Sequence, residues 1–238
     1  MEGRSFEIGA FFNAFPELLP YLLVTLAVGA VSVLGGSLFG GILTWARLSR
    51  NKVASDLAGL YVYVIRCTPS IVLLFIVFYG VPKVAEEVFS INMDEWSRAI
   101  FVVITFILLF GGYVSEVFRS AYLTVHHGQY EAAVTAGLPP WKAVLLIMLP
   151  QAVVVALPNF GNAVINLLKE SALAYTIGLI DLLGKANLMI SKNYGGFGIE
   201  IWLAAFVIYW ILNTLLGKLF LILESRFKWR EGGEAYDH

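Results

Sequence analysis

The sequence predicts an all-α integral membrane protein with five transmembrane helices, N-terminus outside and C-terminus inside. Three observations predict it. Apolar residues fill 59% of the 238 positions and charged residues 14%, with a mean hydropathy of +0.78. A soluble domain carries about 25% charge, so this chain cannot cover a surface facing water and must be solvated by the lipid bilayer. Five runs are almost free of charge and long enough to cross the hydrocarbon, which takes about 20 apolar residues as a helix. Lys and Arg divide unequally between alternate connecting segments, six on one side and nine on the other, and the richer side is cytoplasmic. A soluble enzyme is thereby excluded. The net charge of −1 argues against nucleic acid, and the single cysteine, Cys67, excludes an intrachain disulfide framework or a Cys-rich zinc site.

Residues 1–17 form an external N-terminal segment carrying Glu2, Glu7 and Glu17. The first span, 18–46, is 29 residues without a charge, and Arg47, Arg50 and Lys52 follow it. This order fits the orientation and argues against a cleaved signal peptide, which has a basic start and a shorter apolar core. Gly29, Gly35, Gly36, Gly40 and Gly41 permit close helix contact, Gly36 and Gly40 at small-xxx-small spacing. The second span, 57–81, is interrupted only by Arg66. The third, 99–115, runs into Glu116 and Arg119, an i,i+3 pair read as a local salt bridge, with gating or loop anchoring as the alternative. Residues 116–142 make a cytoplasmic loop, 143–168 the fourth span and 201–217 the fifth, so the membrane domain covers 18–217. The apolar stretch 171–184 is short and holds Asp181, so it reads as re-entrant or interfacial; counted as a span it would give six. A cytoplasmic tail, 218–238, ends in the polar run from Glu231.

Enzyme motifs fail on inspection. Gly178 to Lys185 resembles a phosphate loop, but five residues separate Gly178 from Gly184, and Ala186 stands where Ser or Thr is required. His126 and His127 are adjacent, so they cannot share a helix face as metal ligands and belong to a surface loop. No catalytic or metal-ligating residue is assigned.

The most informative stretch is Glu131 to Pro150, EAAVTAGLPPWKAVLLIMLP. Glu131 is placed to favour a helix start through the dipole. Ala132 with Ala136, and Ala133 with Gly137, are i,i+4 pairs that give a short helix small, smooth faces. Leu138 precedes Pro139 and Pro140, so the helix ends there, and Pro140 can open the next one. The pattern Glu-Ala-Ala, three residues, Gly, nine residues, Ile-x-Leu-Pro is met at Glu131, Ala132, Ala133, Gly137, Ile147, Leu149 and Pro150. It resembles the signature of permease subunits in ATP-binding-cassette (ABC) importers. Arg66-Cys67-Thr68-Pro69, Glu116 with Arg119, Leu157-Pro158, Gly161-Asn162 and Leu167-Leu168-Lys169-Glu170-Ser171 extend the resemblance to the polar-amino-acid branch; Cys67 in place of Gly and Glu170 in place of Asp depart from it.

The resemblance implies a type I ABC importer permease fold in the bacterial cytoplasmic (inner) membrane. It implies that Glu131, Ala132, Ala133, Ala136 and Gly137 form a coupling helix docking in a separate ATPase subunit. That ATPase would bind ATP and Mg, and this chain would hold no cofactor. A second permease subunit, the same or homologous, and an extracytoplasmic substrate-binding protein are the other implied partners.

Polar groups at membrane depth are the candidate substrate path. Arg66 lies ten residues into the second span, where a charge costs about 2.5–3.5 kcal/mol, and faces either a substrate carboxylate or a structural partner. Thr68 and Pro69 follow, and Pro69 cannot donate to the Ile65 carbonyl, opening the helix beside Arg66. At 100° per residue, Asn159, Asn162, Asn166 and Glu170 share one sector of the fourth span, as interhelical glue or as the lining of a path, with Glu170 available to an ammonium group. Pro150 and Pro158 are expected to interrupt that helix. A self-sufficient secondary transporter or a channel subunit is the rival reading. Five helices are too few to enclose a path alone, which points to a dimer.

Overall fold

The computed structural model describes residues 6–93 and 95–231. Residues 1–5 and 232–238, including Glu2 and the polar end of the predicted tail, lie outside the described residues. No strand occurs among the described residues. Ten α-helices follow one another: α1 Ile8–Leu48, α2 Lys52–Cys67, α3 Ser70–Phe75, α4 Val81–Phe89, α5 Arg98–Thr124, α6 His127–Thr135, α7 Pro140–Ala143, α8 Leu149–Glu170, α9 Leu182–Lys192 and α10 Gly198–Glu231. Four stretches are long and apolar enough to cross a membrane unbroken, Ile8–Leu48, Arg98–Thr124, Pro140–Ile177 and Gly198–Phe227. The second predicted span is instead a broken pair, Lys52–Cys67 and Ser70–Phe89, which makes a fifth if taken together. The cause is Pro69, which is extended at φ −59° and ψ 134° and supplies no N–H to continue the ladder. All the predicted spans are extended at their ends, because a run without charges measures the apolar slab and not the helix that projects beyond it.

Two π-helical stretches, Ile76–Gly80 and Val144–Met148, each stop two residues before a proline, Pro82 and Pro150. A proline ring pushes away the carbonyl four residues back, and a wider turn lets the carbonyls find donors one residue further on. Pro150 therefore widens the fourth span, as expected in kind. Pro158 does not interrupt it: α8 runs through Pro158 from Leu149 to Glu170.

The chain forms two compact units. The first comprises Met1–Gly35, Thr68–Leu108 and Asn166–Thr214. Its core joins Ala14 and Leu18 of α1, Leu182, Ala186 and Met189 of α9, and Ile201, Ala204, Ala205 and Ile208 of α10. Alanines at the contact let the backbones approach closely. The stretch 171–184, read from sequence as re-entrant or interfacial, is here a 3-10 turn at Ser171–Ile177 that leads into the first turn of α9, and its Leu182 belongs to this core. Asp181 caps α9 by accepting from the Gly184 N–H at 2.8 Å. It is 1% exposed, and its Oδ2 has no hydrogen-bond partner among the described residues. Nearby, Thr25 Oγ1 accepts from the Leu182 N–H at 3.2 Å. Lys185, one turn further along α9, turns instead to Glu17 at 2.9 Å.

The second unit comprises Gly36–Cys67, Leu109–Ile165 and Leu215–His238. α1 meets α5 at Gly40, where a Cβ would lie 2.5 Å from Val114 Cγ1 and 2.9 Å from the Gly111 carbonyl oxygen. One turn on, the buried Thr44 hydroxyl lies between the Gly40 and Ser115 carbonyls, at 2.8 and 3.0 Å. Phe110, Phe118 and Phe220 surround Phe160 at ring distances of 5.8–6.2 Å.

Burial holds the Asp181 carboxyl up at about 6, against an ordinary value of 3.8. The raised value means that its protonated form is the better tolerated one. Its stabilising contribution is complete at acidic pH and is lost as pH rises through about 6, a difference of about 3 kcal/mol. Asp181→Asn keeps an oxygen for the Gly184 N–H and removes the charge. The variant should unfold at a higher temperature than wild type at pH 7.5 and lose most of the pH dependence seen between pH 5 and pH 7.5. Parallel pH profiles for the two proteins would refute this account of Asp181.

Candidate functional site

The segment that carries the Glu-Ala-Ala…Gly pattern begins within a nine-residue helix, α6, closed by a left-handed glycine. Gly137 has φ +96°. Its N–H donates to the Val134 carbonyl at 3.0 Å, and the Leu138 N–H donates to the Ala133 carbonyl at 3.0 Å. This pair is the Schellman closure of a helix C-terminus. Nothing lies within 4 Å of a Cβ built on Gly137, so the position requires glycine for its backbone conformation and not for space.

Two details of the sequence reading change. The helix begins at His127, not at Glu131, so Glu131 sits in the second turn and gains little from the dipole at the start. Its carboxylate is paired along the helix with His127 Nδ1 at 3.2 Å, both exposed. The helix also ends before the prolines, at Thr135, because Gly137 turns the chain first. Pro140 does open the next helix, as expected. Glu131, Ala132, Ala136 and Gly137 are exposed and Ala133 is buried, so of the two predicted small-residue pairs only Ala132 with Ala136 presents a wholly open face.

α6 is held from below. Val125, Met148 and Ala152 form a small buried cluster, with Tyr122 and Tyr130 packed against it. Gln151 Nε2 donates to Gln129 Oε1 at 2.5 Å, tying α8 to α6. At the start of the same loop, Glu116 binds two arginines: Arg119 at 2.6 Å and, from α1, Arg47. Sequence spacing finds the Arg119 partner, because i,i+3 residues are neighbours on a helix. It cannot find Arg47, which lies 69 residues away in the chain; the basic cluster after the first span was the available signal. The ionic trio anchors the loop to α1, which supports the anchoring alternative.

The polar residues of the candidate path divide differently. Asn159, Asn162 and Asn166 are exposed along one face of α8. None of the three makes a hydrogen bond among the described residues. Glu170 is half-buried at the end of α8. Arg66 occupies the last turn of α2, exposed, where a cation complements the helix C-terminus. It forms no ion pair among the described residues. Thr68 lies in the break and is partly buried.

Because Gly137 is required for its φ, substitutions there should rank by tolerance of left-handed geometry, not by size. Gly137→Asn should cost least, Gly137→Ala about 1 kcal/mol and Gly137→Val more. Thermal unfolding of the purified chain measures the order. Losses that follow side-chain volume would contradict it.

Residues 36–229 match the family described as "Binding-protein-dependent transport system inner membrane component". The chain is 33% identical over 225 residues to the L-cystine transport system permease protein of Bacillus subtilis, covering 94% of this chain and 93% of that one. It is 29% identical over 223 residues to the glutamine transport system permease protein of Escherichia coli, covering 94% and 98%. Its fold resembles a chain in the crystal structure of an amino acid ABC transporter with histidines, at a TM-score of 0.81 and 28% identity, covering 94% of this chain and 100% of the other. The bundle of apolar helices, the glycine-closed loop helix and these matches along nearly the whole length lead to one conclusion. The chain belongs to the family of binding-protein-dependent transport system inner membrane components, as a multi-pass permease subunit of an ABC importer.

Proposed function

We propose that this chain is one of two permease subunits of an importer for polar amino acids, oriented N-out and C-in. The observation that carries the reading is α6: a helix whose Ala132, Ala136 and Gly137 are exposed and whose base is fixed by packing and an ionic trio. A helix so built can accept a push from a partner and pass it into α5 and α8. The partner is a separate ATPase subunit that holds ATP and Mg, so this chain performs no covalent chemistry and needs no cofactor. An extracytoplasmic binding protein delivers the substrate. The amino-acid class rests on the relatives, whose names record L-cystine and glutamine, and nopaline for a further permease of Agrobacterium fabrum.

The path is assigned to the polar face of α8. Asn159, Asn162 and Asn166 are exposed in a helix that would otherwise meet hydrocarbon, and an unbonded amide there is costly. Facing water and a second subunit satisfies them. Glu170 is placed to meet an ammonium group, and Arg66 and Thr68 stand at the break in the second span.

Replacing Asn162 and Asn166 together with Leu tests the assignment. Uptake should fall at least tenfold, about 1.4 kcal/mol of lost stabilisation along the path, while co-purification with the ATPase is unchanged. Normal uptake would remove the stripe from the path, and loss of ATPase binding would show that α8 serves assembly instead.

A further inference from the structure

The second unit carries a cavity of about 560 Å³ that plays no part in the reading above. It is bordered by the end of α1, by Phe118 and Tyr122 of α5, and by the widened turn at Val144 with the first half of α8. Apart from the hydroxyls of Ser37, Thr44 and Tyr122, its lining is apolar. Such a lining offers a zwitterionic substrate nothing to bind. It does match a hydrocarbon chain. Trp45, 75% exposed, stands at its edge. Trp141 is also exposed and lies under the Lys142 ammonium at 5.4 Å, which marks the headgroup level.

The charge around this cavity is one-sided. Within three residues in sequence of its lining lie four cations, Arg47, Arg50, Arg119 and Lys142, and one carboxylate, Glu116. Glu116 is engaged by Arg47 and Arg119 together, so the segments that flank the lining in sequence keep a positive excess. Arg50 and Lys142 are exposed. Basic residues on the cytoplasmic side of helix bundles attract anionic headgroups, and the segments 47–56 and 116–142 are those that the positive-inside rule places in the cytoplasm.

From this juxtaposition we infer that the cavity is a binding site for one anionic phospholipid of the inner leaflet. An acyl chain fills the apolar groove, and the phosphate meets Arg50 and Lys142 at its rim. The lipid would brace the same α1–α5–α8 region on which α6 stands, so its occupancy would set how firmly the loop helix is held.

Gly41 gives a clean test. It lines the cavity, and nothing lies within 4 Å of a Cβ built on it, so Gly41→Leu starts its side chain in open space, occupies the groove, and replaces a poor helix former by a good one. The full chain is purified in mild detergent, and its thermal midpoint is followed on adding phosphatidylglycerol or phosphatidylcholine with the same acyl chains. Wild type should gain about 3–5 °C with phosphatidylglycerol at roughly tenfold excess over its Kd, and clearly less with phosphatidylcholine. Gly41→Leu should fold at least as stably without lipid and lose most of that gain. The double variant Arg50→Gln with Lys142→Gln should keep the wild-type midpoint and lose the preference between headgroups. Equal gains from both lipids in wild type, or a full gain in Gly41→Leu, would overturn the proposal. Conversion of a wild-type dimer to a monomer by Gly41→Leu would also overturn it, by assigning the groove to a second copy of the chain.

Discussion

In hydrocarbon no water is available to bond a stray backbone N–H or C=O, so every departure from the helix must be satisfied within the protein. The rest of this structure depends on that constraint. Helices persist through α1, α5, α8 and α10 with few exceptions. The departures fall at residues whose chemistry compels them: Pro69 between α2 and α3, the widened turns before Pro82 and Pro150, Gly137 after α6, and Gly178 with φ +82° before the Asp181 cap. These are also the places where candidate functional residues gather. Arg66 and Thr68 flank the first break, and Gly137 shapes the end of α6.

Packing without a hydrophobic drive between helices requires close approach, and small residues provide it. At Gly40 the separation is set by a backbone oxygen, so α1 and α5 have little room to shift there. The Thr44 hydroxyl and the Arg47–Glu116–Arg119 trio continue the same contact toward the loop. On the proposed coupling role, this packing is what would let a nine-residue helix carry force instead of yielding.

Much of this was legible in the sequence, for identifiable reasons. The scarcity of charge gave the class, and the uncharged runs gave the spans, because lipid selects on composition. The prolines after Leu138 announced a helix end, although the helix stops sooner, at Thr135, through the left-handed Gly137. The angular sector of Asn159, Asn162 and Asn166 was correct because α8 is continuous, even through Pro158. Other features were out of reach. The start of α6 carries no strong signal, since His126 makes no side-chain cap. The Arg47–Glu116 pair joins residues distant in the chain. The buried environment of Asp181 depends on α1, α9 and α10 meeting, which no local pattern encodes.

Taken together, these features support the proposed reading of one permease subunit in a transport device whose energy source lies in another polypeptide. Uptake in proteoliposomes tests that claim most directly. The chain is reconstituted with its partner ATPase, the binding protein is supplied outside, and entry of a radiolabelled amino acid is followed with ATP or without it in the lumen. The account predicts uptake that needs the ATPase, lumenal ATP and the binding protein together. Uptake by the chain alone, with no ATPase present, would contradict it.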